Sequence, residues 1–296
     1  MSRRAGRVGG RAGRVGGRAG LLAVTALAVS ILAAERAASA ARVRGASANP
    51  FASRSLRAYL AGRGTNVTAA AQDLNAGRTY LYRPGVREET ASVVKLDILA
   101  TLLHEEQGRG GLSAAQVGVA AGMIEASDDD DATALWNFEG GAPAVLAFDQ
   151  AAGMGETTPN PYWGRTTTTP CDQLALLRLV VLPNRLLTTA SRRYVYELMR
   201  HVIPTERWGV SAGVGARATV ALKNGWFPVA GGAWQVNSIG EVAGSGRHYL
   251  LAVMTSGDPT EQYGIDTIQR ISAAVWRALR VQTLDRLTGP VSRRAA

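Results

Sequence analysis

The 296-residue chain reads as an α+β protein, an α/β sandwich. It predicts one antiparallel sheet built from N- and C-terminal segments, with flanking helices and an inserted all-helical lobe. Two observations predict this class. Strand-like runs bounded by turn signals fall at residues 65–82 and again after about residue 210, and the chain between them carries helical periodicity. The length suffices for a full core, and 46% hydrophobic with 19% charged residues is the balance of an ordinary globular protein.

In chain order, "TNVTAAAQDL" (65–74) and "RTYLY" (78–82) flank the turn Asn75-Ala76-Gly77 and predict a hairpin. "SVVKLDILATLLHEE", from Ser92 to Glu106, predicts a strongly amphipathic helix. Further helices are predicted at 113–126, 141–152, 171–181 and 191–202. "ATVALKN" (218–224), "WQVNSIGEVA" (234–243) and "HYLLAVMTSG" (248–257) predict three successive strands, and 265–281 a closing helix. The domain then covers 49–296, with 49–88 and 210–296 forming a sheet lobe and 89–209 a helical lobe. A cleft between two such lobes is a natural place for a site.

Residues 1–48 stand apart. They hold nine arginines against one acid, Glu35, which accounts for most of the net charge of +10. No basic stripe is left in the remainder, so nucleic acid is not an expected partner. "RAGRVGG" occurs twice (4–10 and 11–17), followed by the apolar run Leu21 to Ala34 and small-residue exits at Ala38-Ser39-Ala40 and Ala46-Ser47-Ala48. That order predicts a secretory signal cut near Ala40 or Ala48, and a secreted or envelope protein that meets a membrane only during export. Fourteen apolar residues are short for a bilayer span. Cys171 is the only cysteine, so no intrachain disulfide can form and no lipid-bearing cysteine lies near either exit.

The chain has 31 arginines and only two lysines, Lys95 and Lys223. Unlike arginine, lysine can give up its proton when desolvated or set beside another cation. Lys95 lies three residues after Ser92 at the start of the apolar helix, where i and i+3 share a face. A serine alcohol is a weak nucleophile and needs a base that close; a helix-capping serine beside a snorkelling lysine is the alternative. Lys223 stands late in a strand and is followed by Asn224 and Gly225. Glycine lets a backbone approach a ligand closely, so the Asn224 side chain and the Trp226 N–H would face a cleft, the alternative being a strand followed by a plain turn. Between the lysines comes "EASDDDDATALW" (125–136), with Ser127 before four aspartates. Ser-x-x-Lys, Ser-Asp-x and Lys-x-Gly, in that order on helix, loop and strand, form a constellation with mechanistic content.

With "SVVK", "SDD", "KNG" and "TTTTPCDQLALL" in sequence, residues 50–290 resemble the class A β-lactamases of the penicillin-recognising serine enzyme superfamily. The resemblance implies a β-lactamase/transpeptidase-like fold with Ser92 as acylated nucleophile and Lys95 as its base or proton relay. It implies Ser127 as proton shuttle to the leaving nitrogen and Lys223 as electrostatic partner of Ser127 and of a substrate carboxylate. The N–H groups of Ser92 and Trp226 would form the oxyanion hole, and Asp129, Asn224 and Gly225 would border the substrate. The partner implied is a small molecule, a β-lactam or a D-alanyl cell-wall peptide, bound by a monomer without metal or cofactor.

Three features depart from the family pattern. The interval from Ser92 to Ser127 is shorter than usual, so part of the helical lobe is trimmed. Asp129 stands where the family has Asn. A carboxylate there should disfavour anionic substrates, so Asp129→Asn is expected to speed acylation by penicillins. The loop before "TTTTP" also lacks the Glu-x-x-x-Asn pattern whose Glu activates the deacylating water in that family. Glu156 is the nearest acid of that type, in a context that does not match. Without such a base an acyl-enzyme would persist, and an envelope penicillin-binding protein with little turnover becomes the rival reading.

Other motifs point elsewhere. "GVSAG" (209–213) fits a Gly-x-Ser-x-Gly elbow, but it lacks the preceding strand and following helix that a Ser211-based esterase requires. His104, His201 and His248 form no ligand pair, and the aspartate run lacks the alternation of a calcium loop.

Overall fold

The structure, a computed structural model, describes residues 49–279. The predicted export leader (1–48) and the last residues of the predicted closing helix lie outside the described residues. A 3₁₀ turn, Pro50–Ala52, and helix α1, Arg54–Ala61, come first. The predicted hairpin follows as β1, Asn66–Asp73, and β2, Arg78–Tyr82. The other sheet strands are β5, Thr219–Pro228, β6, Trp234–Gly244, and β7, Arg247–Asp258. The sheet is antiparallel in the order β2-β1-β7-β6-β5, so the first and last thirds of the chain meet where β1 pairs with β7.

Period-2 alternation sorts the sheet residues between two cores. Val67, Ala69, Val220, Leu222, Val236 and Leu251 face α1 and the closing helix α8, Glu261–Ala278. Ala70, Ala221, Ile239, Leu250 and Ala252 face the other way, into the helical lobe. Both faces are covered, which is why the middle of β7, Tyr249 to Met254, is an unbroken apolar run.

The helical lobe contains α2, Val94–Glu106, α3, Ala114–Glu125, α4, Asp129–Glu139, α5, Ala142–Ala152, α6, Pro170–Val181, and α7, Thr189–Arg200. The expected amphipathic character of α2 is not found, because every residue from Val94 to Leu103 is buried. Helices α3, α4, α5 and α7 surround it, so it serves as the axis of the lobe rather than a surface helix. A second correction concerns β5, which continues to Pro228; Asn224 and Gly225 are mid-strand residues and not a turn. A short pair, β3, Glu88–Glu89, with β4, Thr167–Thr168, ties the segment before Ser92 to the loop before α6.

Candidate active site

Ser92 sits in a 3₁₀ turn, Ala91–Val93, that runs directly into α2. Ala91 has φ of 49°, a left-handed conformation that costs a non-glycine residue of order 1–3 kcal/mol and persists only where its surroundings enforce it. The enforcing residues are a cross-strand pair. Gly225 lies opposite Asn237 in the sheet, both on the face toward the helical lobe. Asn237 Nδ2 donates to the carbonyls of Glu89 and Thr90, each at 2.8 Å. A Cβ on Gly225 would stand 2.5 Å from Ser92 N and 2.7 Å from Val93 N, so only glycine lets the strand approach the turn this closely.

Lys95, one helical turn beyond Ser92, is fully buried. Its Nζ donates to Ser127 O at 2.6 Å, to Asp129 Oδ1 at 2.5 Å and, at 3.4 Å, to Ser127 Oγ. Lys223 Nζ reaches the same hydroxyl from the sheet side at 2.7 Å and also donates to Asn224 O at 3.0 Å. Ser127 itself has φ of 58°, and Asp128 Oδ1 caps α4 by accepting from Asp131 N at 2.9 Å. The Ser127 hydroxyl is thus held between two ammonium groups. With its lone pairs engaged by cations, its own proton is free to be donated elsewhere.

The electrostatics follow from this crowding. Burial lowers the Lys95 pKa, and the hydrogen bond and charge of Asp129 offset that in part. Lys223 is pushed down to about 7, first by burial and then by the positive charge of Lys95, with Glu206 and Asp129 opposing. Glu206 is buried beside them; burial raises its pKa, while the two lysines pull it back.

A cleft of about 440 Å³ opens above these groups, and its lining includes Ser92, Asp129, Trp163, Arg165, Trp226 and Phe227. The loop that carries Trp163 is clamped to the Ser92 turn by the β3–β4 pair and by Thr90 N donating to Thr166 O at 2.8 Å. Lys95 Nζ lies 5.0 Å from the centre of the Trp163 ring, and the indole Nε1 donates to Thr133 Oγ1 at 3.2 Å. Arg165 pairs with Glu89 at 2.8 Å and lies over the Phe227 ring.

The structure therefore brings together Ser92, Lys95, Ser127, Asp129, Lys223, Gly225 and Trp226. Two expected site residues lie elsewhere. The Asn224 side chain does not face the cleft; it is buried on the opposite face of β5 and donates to Glu206 O at 2.7 Å and Trp208 O at 3.3 Å. With Lys223 turned toward the site, strand alternation turns its neighbour away. Glu156 is exposed and does not line the cleft; its N–H donates to Asp172 Oδ2 at 2.9 Å near the start of α6. The aspartate run opens helix α4, with Asp128 as its cap and Asp129 as its first residue. Ser211 donates to Arg207 O at 3.0 Å in a 3₁₀ turn, with no strand-to-helix elbow around it. Among the described residues, no cluster of His, Cys, Asp or Glu is arranged to hold a metal.

Asn237, Trp163, Arg165 and Glu206 are site components the sequence reading missed. Of these, only Asn237 left a signal: a polar residue in a strand where an apolar core residue is expected.

Comparison with known proteins bears on the family and the fold. A model of the beta-lactamase enzyme family matches residues 111–279. Proteins named "Putative lipoprotein LppW" from Mycobacterium tuberculosis and Mycobacterium bovis are 28% identical over 173 residues, 55% of this chain and 54% of theirs. The chain thus spans about half the length of these curated relatives. Among solved structures, a β-lactamase from Burkholderia phymatum aligns with TM-score 0.69 at 20% identity, covering 78% of this chain and 99% of that one. A β-lactamase from Chitinophaga pinensis gives 0.68 at 19%, covering 76% and 98%. The protein PBP-A gives 0.65 at 22%, covering 76% and 94%. At these identities the structural likeness shows the fold.

Proposed function

The chain belongs to the beta-lactamase enzyme family, and on that premise we propose that it is an exported serine hydrolase acylated at Ser92 by a β-lactam or a related cell-wall amide. One observation carries this reading: the Ser127 hydroxyl is gripped by the chain's two lysines beneath a cleft that Ser92 lines. Lys95, desolvated and one turn away, takes the Ser92 proton as Oγ attacks the carbonyl carbon. The developing oxyanion is held by the N–H groups of Ser92 and Trp226, aided by the N-terminal end of α2. Ser127 gives its proton to the leaving nitrogen, and Lys223 replaces it. A cationic Lys223 also favours a substrate that carries a carboxylate. The signal-like N-terminus and the lipoprotein name of the mycobacterial relatives support an envelope location.

A second reading, an envelope penicillin-binding protein with little turnover, draws on the loop that closes the cleft. An indole faces Lys95 there, and the acid expected to activate water, Glu156, lies outside the cleft. Incubating the purified protein with a fluorescent penicillin tests the common premise. One adduct is expected on the peptide containing Ser92, and Ser92→Ala should abolish it. Undiminished labelling of that variant would rule out Ser92 as nucleophile.

A further inference from the structure

Hydrolysis of a Ser92 acyl-enzyme needs a group that takes a proton from water close to the ester carbon. We propose that this group is Asp129, in place of the loop carboxylate used elsewhere in the family. The inference rests on Ser92 being the acylated residue.

Three observations lead to it. Among the described residues lining the cleft, Asp129 carries the only carboxylate, and it shares that lining with Ser92. The side chain is held yet open: Oδ1 accepts from Lys95 Nζ at 2.5 Å, while the side chain as a whole remains 73% exposed. It also stands at the first position of α4, whose start is fixed by the Asp128 cap. The helix start sets its backbone, and Lys95 holds one of its carboxylate oxygens. The loop on the opposite wall offers no rival carboxylate, since it contributes Tyr162, Trp163, Gly164 and Arg165 to the lining, with the Trp163 ring centre 5.0 Å from Lys95 Nζ.

The proton inventory closes without an added reagent. Water is oriented by the free face of the Asp129 carboxylate and attacks the ester carbon. A C–O bond forms as the water O–H bond breaks, and the proton passes to Asp129. The tetrahedral oxyanion rests on the N–H groups of Ser92 and Trp226. It collapses by breaking the bond to Ser92 Oγ, which takes a proton from the Lys95 ammonium. Protonated Asp129 then restores Lys95 along the hydrogen bond the two already share. The proton that Lys95 took from Ser92 during acylation passes through the Ser127 hydroxyl to Lys223, which returns both lysines to their starting states. One water is consumed, and the carboxylic acid product leaves. The Lys95–Asp129 pair thereby works as a cycling acid–base couple rather than a static ion pair. Substitution of the family Asn by Asp moves the base from the loop to the helix start.

Pre-loading the full-length protein with fluorescent penicillin and following release by intact mass tests this. Wild type should acquire one acyl group at Ser92 and release it. Asp129→Asn should label as fast or faster, then release its adduct about 10²–10⁴-fold more slowly, and Asp129→Glu should recover part of the release. Labelling of the Asn variant itself reports an intact cleft. Release at the wild-type rate by Asp129→Asn would overturn the inference. So would loss of labelling in that variant, which would tie Asp129 to acylation, or a wild-type adduct that persists as long as the variant's. If wild type takes no label at Ser92, the underlying functional reading has failed and the inference falls with it.

Discussion

Beneath the cleft, Lys95 and Lys223 are buried but supplied with oxygens: a backbone carbonyl each, the shared Ser127 hydroxyl, and for Lys95 a carboxylate. Two residues along α2 from Lys95, on another face of the helix, Asp97 is buried against Asp149, with Glu139 and Asp172 nearby. Both carboxyl oxygens of Glu139 lack a hydrogen-bond partner among the described residues. The contrast shows two ways of keeping ionisable groups out of water. Opposite charge and hydrogen bonds hold the cleft groups in a defined arrangement, whereas acids crowded against acids can be accommodated only by keeping their protons. Burial pushes Asp149 to about 7 and Glu139 to about 10, and Asp97 is raised well above the ordinary carboxylate range.

The cleft should therefore be most vulnerable to displaced geometry. In Gly225→Ala the new Cβ would meet backbone nitrogens of the Ser92 turn, which no rotamer change can relieve. Either β5 or the turn must move, and a shift near 1 Å at a nucleophile costs about 10²-fold in rate. The expected result is a loss of that size in penicillin labelling at Ser92, with the pH dependence of unfolding unchanged. Labelling at the wild-type rate would mean that the close approach of strand and turn is not what positions Ser92.

The acidic interior of the lobe should respond to pH instead. A carboxyl whose folded pKa is raised holds a proton that the unfolded chain releases. Its folded form carries no penalty below the unfolded value near 4 and loses stability as pH climbs toward the folded value. With Asp149 at about 7 and Glu139 at about 10, stability should fall from pH 5 to pH 8 and keep falling beyond. Glu139→Gln removes the larger contribution. Its thermal midpoint should exceed wild type at pH 8 by roughly 2–8 °C, the shift expected for about 1–2 kcal/mol in a chain of this size. The two proteins should converge near pH 5. A wild-type midpoint that is flat across this range would mean the acids have found partners or water.

How far these features can be read from sequence differs residue by residue. Ser92-x-x-Lys95, the Ser-Asp pair at Ser127 and Lys223-x-Gly225 are each weak local signals. Their order along the chain, and the family resemblance it carries, are what make the groups that meet at the Ser127 hydroxyl legible in the sequence. The strands were readable because their alternation is a local property. Asn224 was misassigned although the rule that corrects it is also local: once Lys223 faces the site, period 2 sends Asn224 behind the sheet. The burial of α2 is not legible in its sequence, because Lys95, Asp97 and Thr101 are polar yet all three are buried. Asn237 showed only as a polar residue in a strand, with nothing to say what it does, and Trp163 left no local signal. One acts through its register opposite Gly225, and the other through a loop clamped by a two-residue strand pair, and neither relation is written in neighbouring residues.

Asp128 joins the two regions, since α4 begins beside the cleft at Asp129 and ends at Glu139 inside the lobe. Its carboxylate accepts from Asp131 N, and loss of such a cap costs about 0.5–2 kcal/mol. Asp128→Ala should lower the thermal midpoint by a few degrees at pH 5 and at pH 8 alike, because the cap does not depend on the buried acids. Its effect on Ser92 labelling should be smaller than that of Gly225→Ala, since Lys95 still holds Asp129 and the Ser127 carbonyl directly. If Asp128→Ala instead abolished labelling while leaving the midpoint unchanged, the carboxylate would be acting on the cleft itself rather than on the helix that leads away from it.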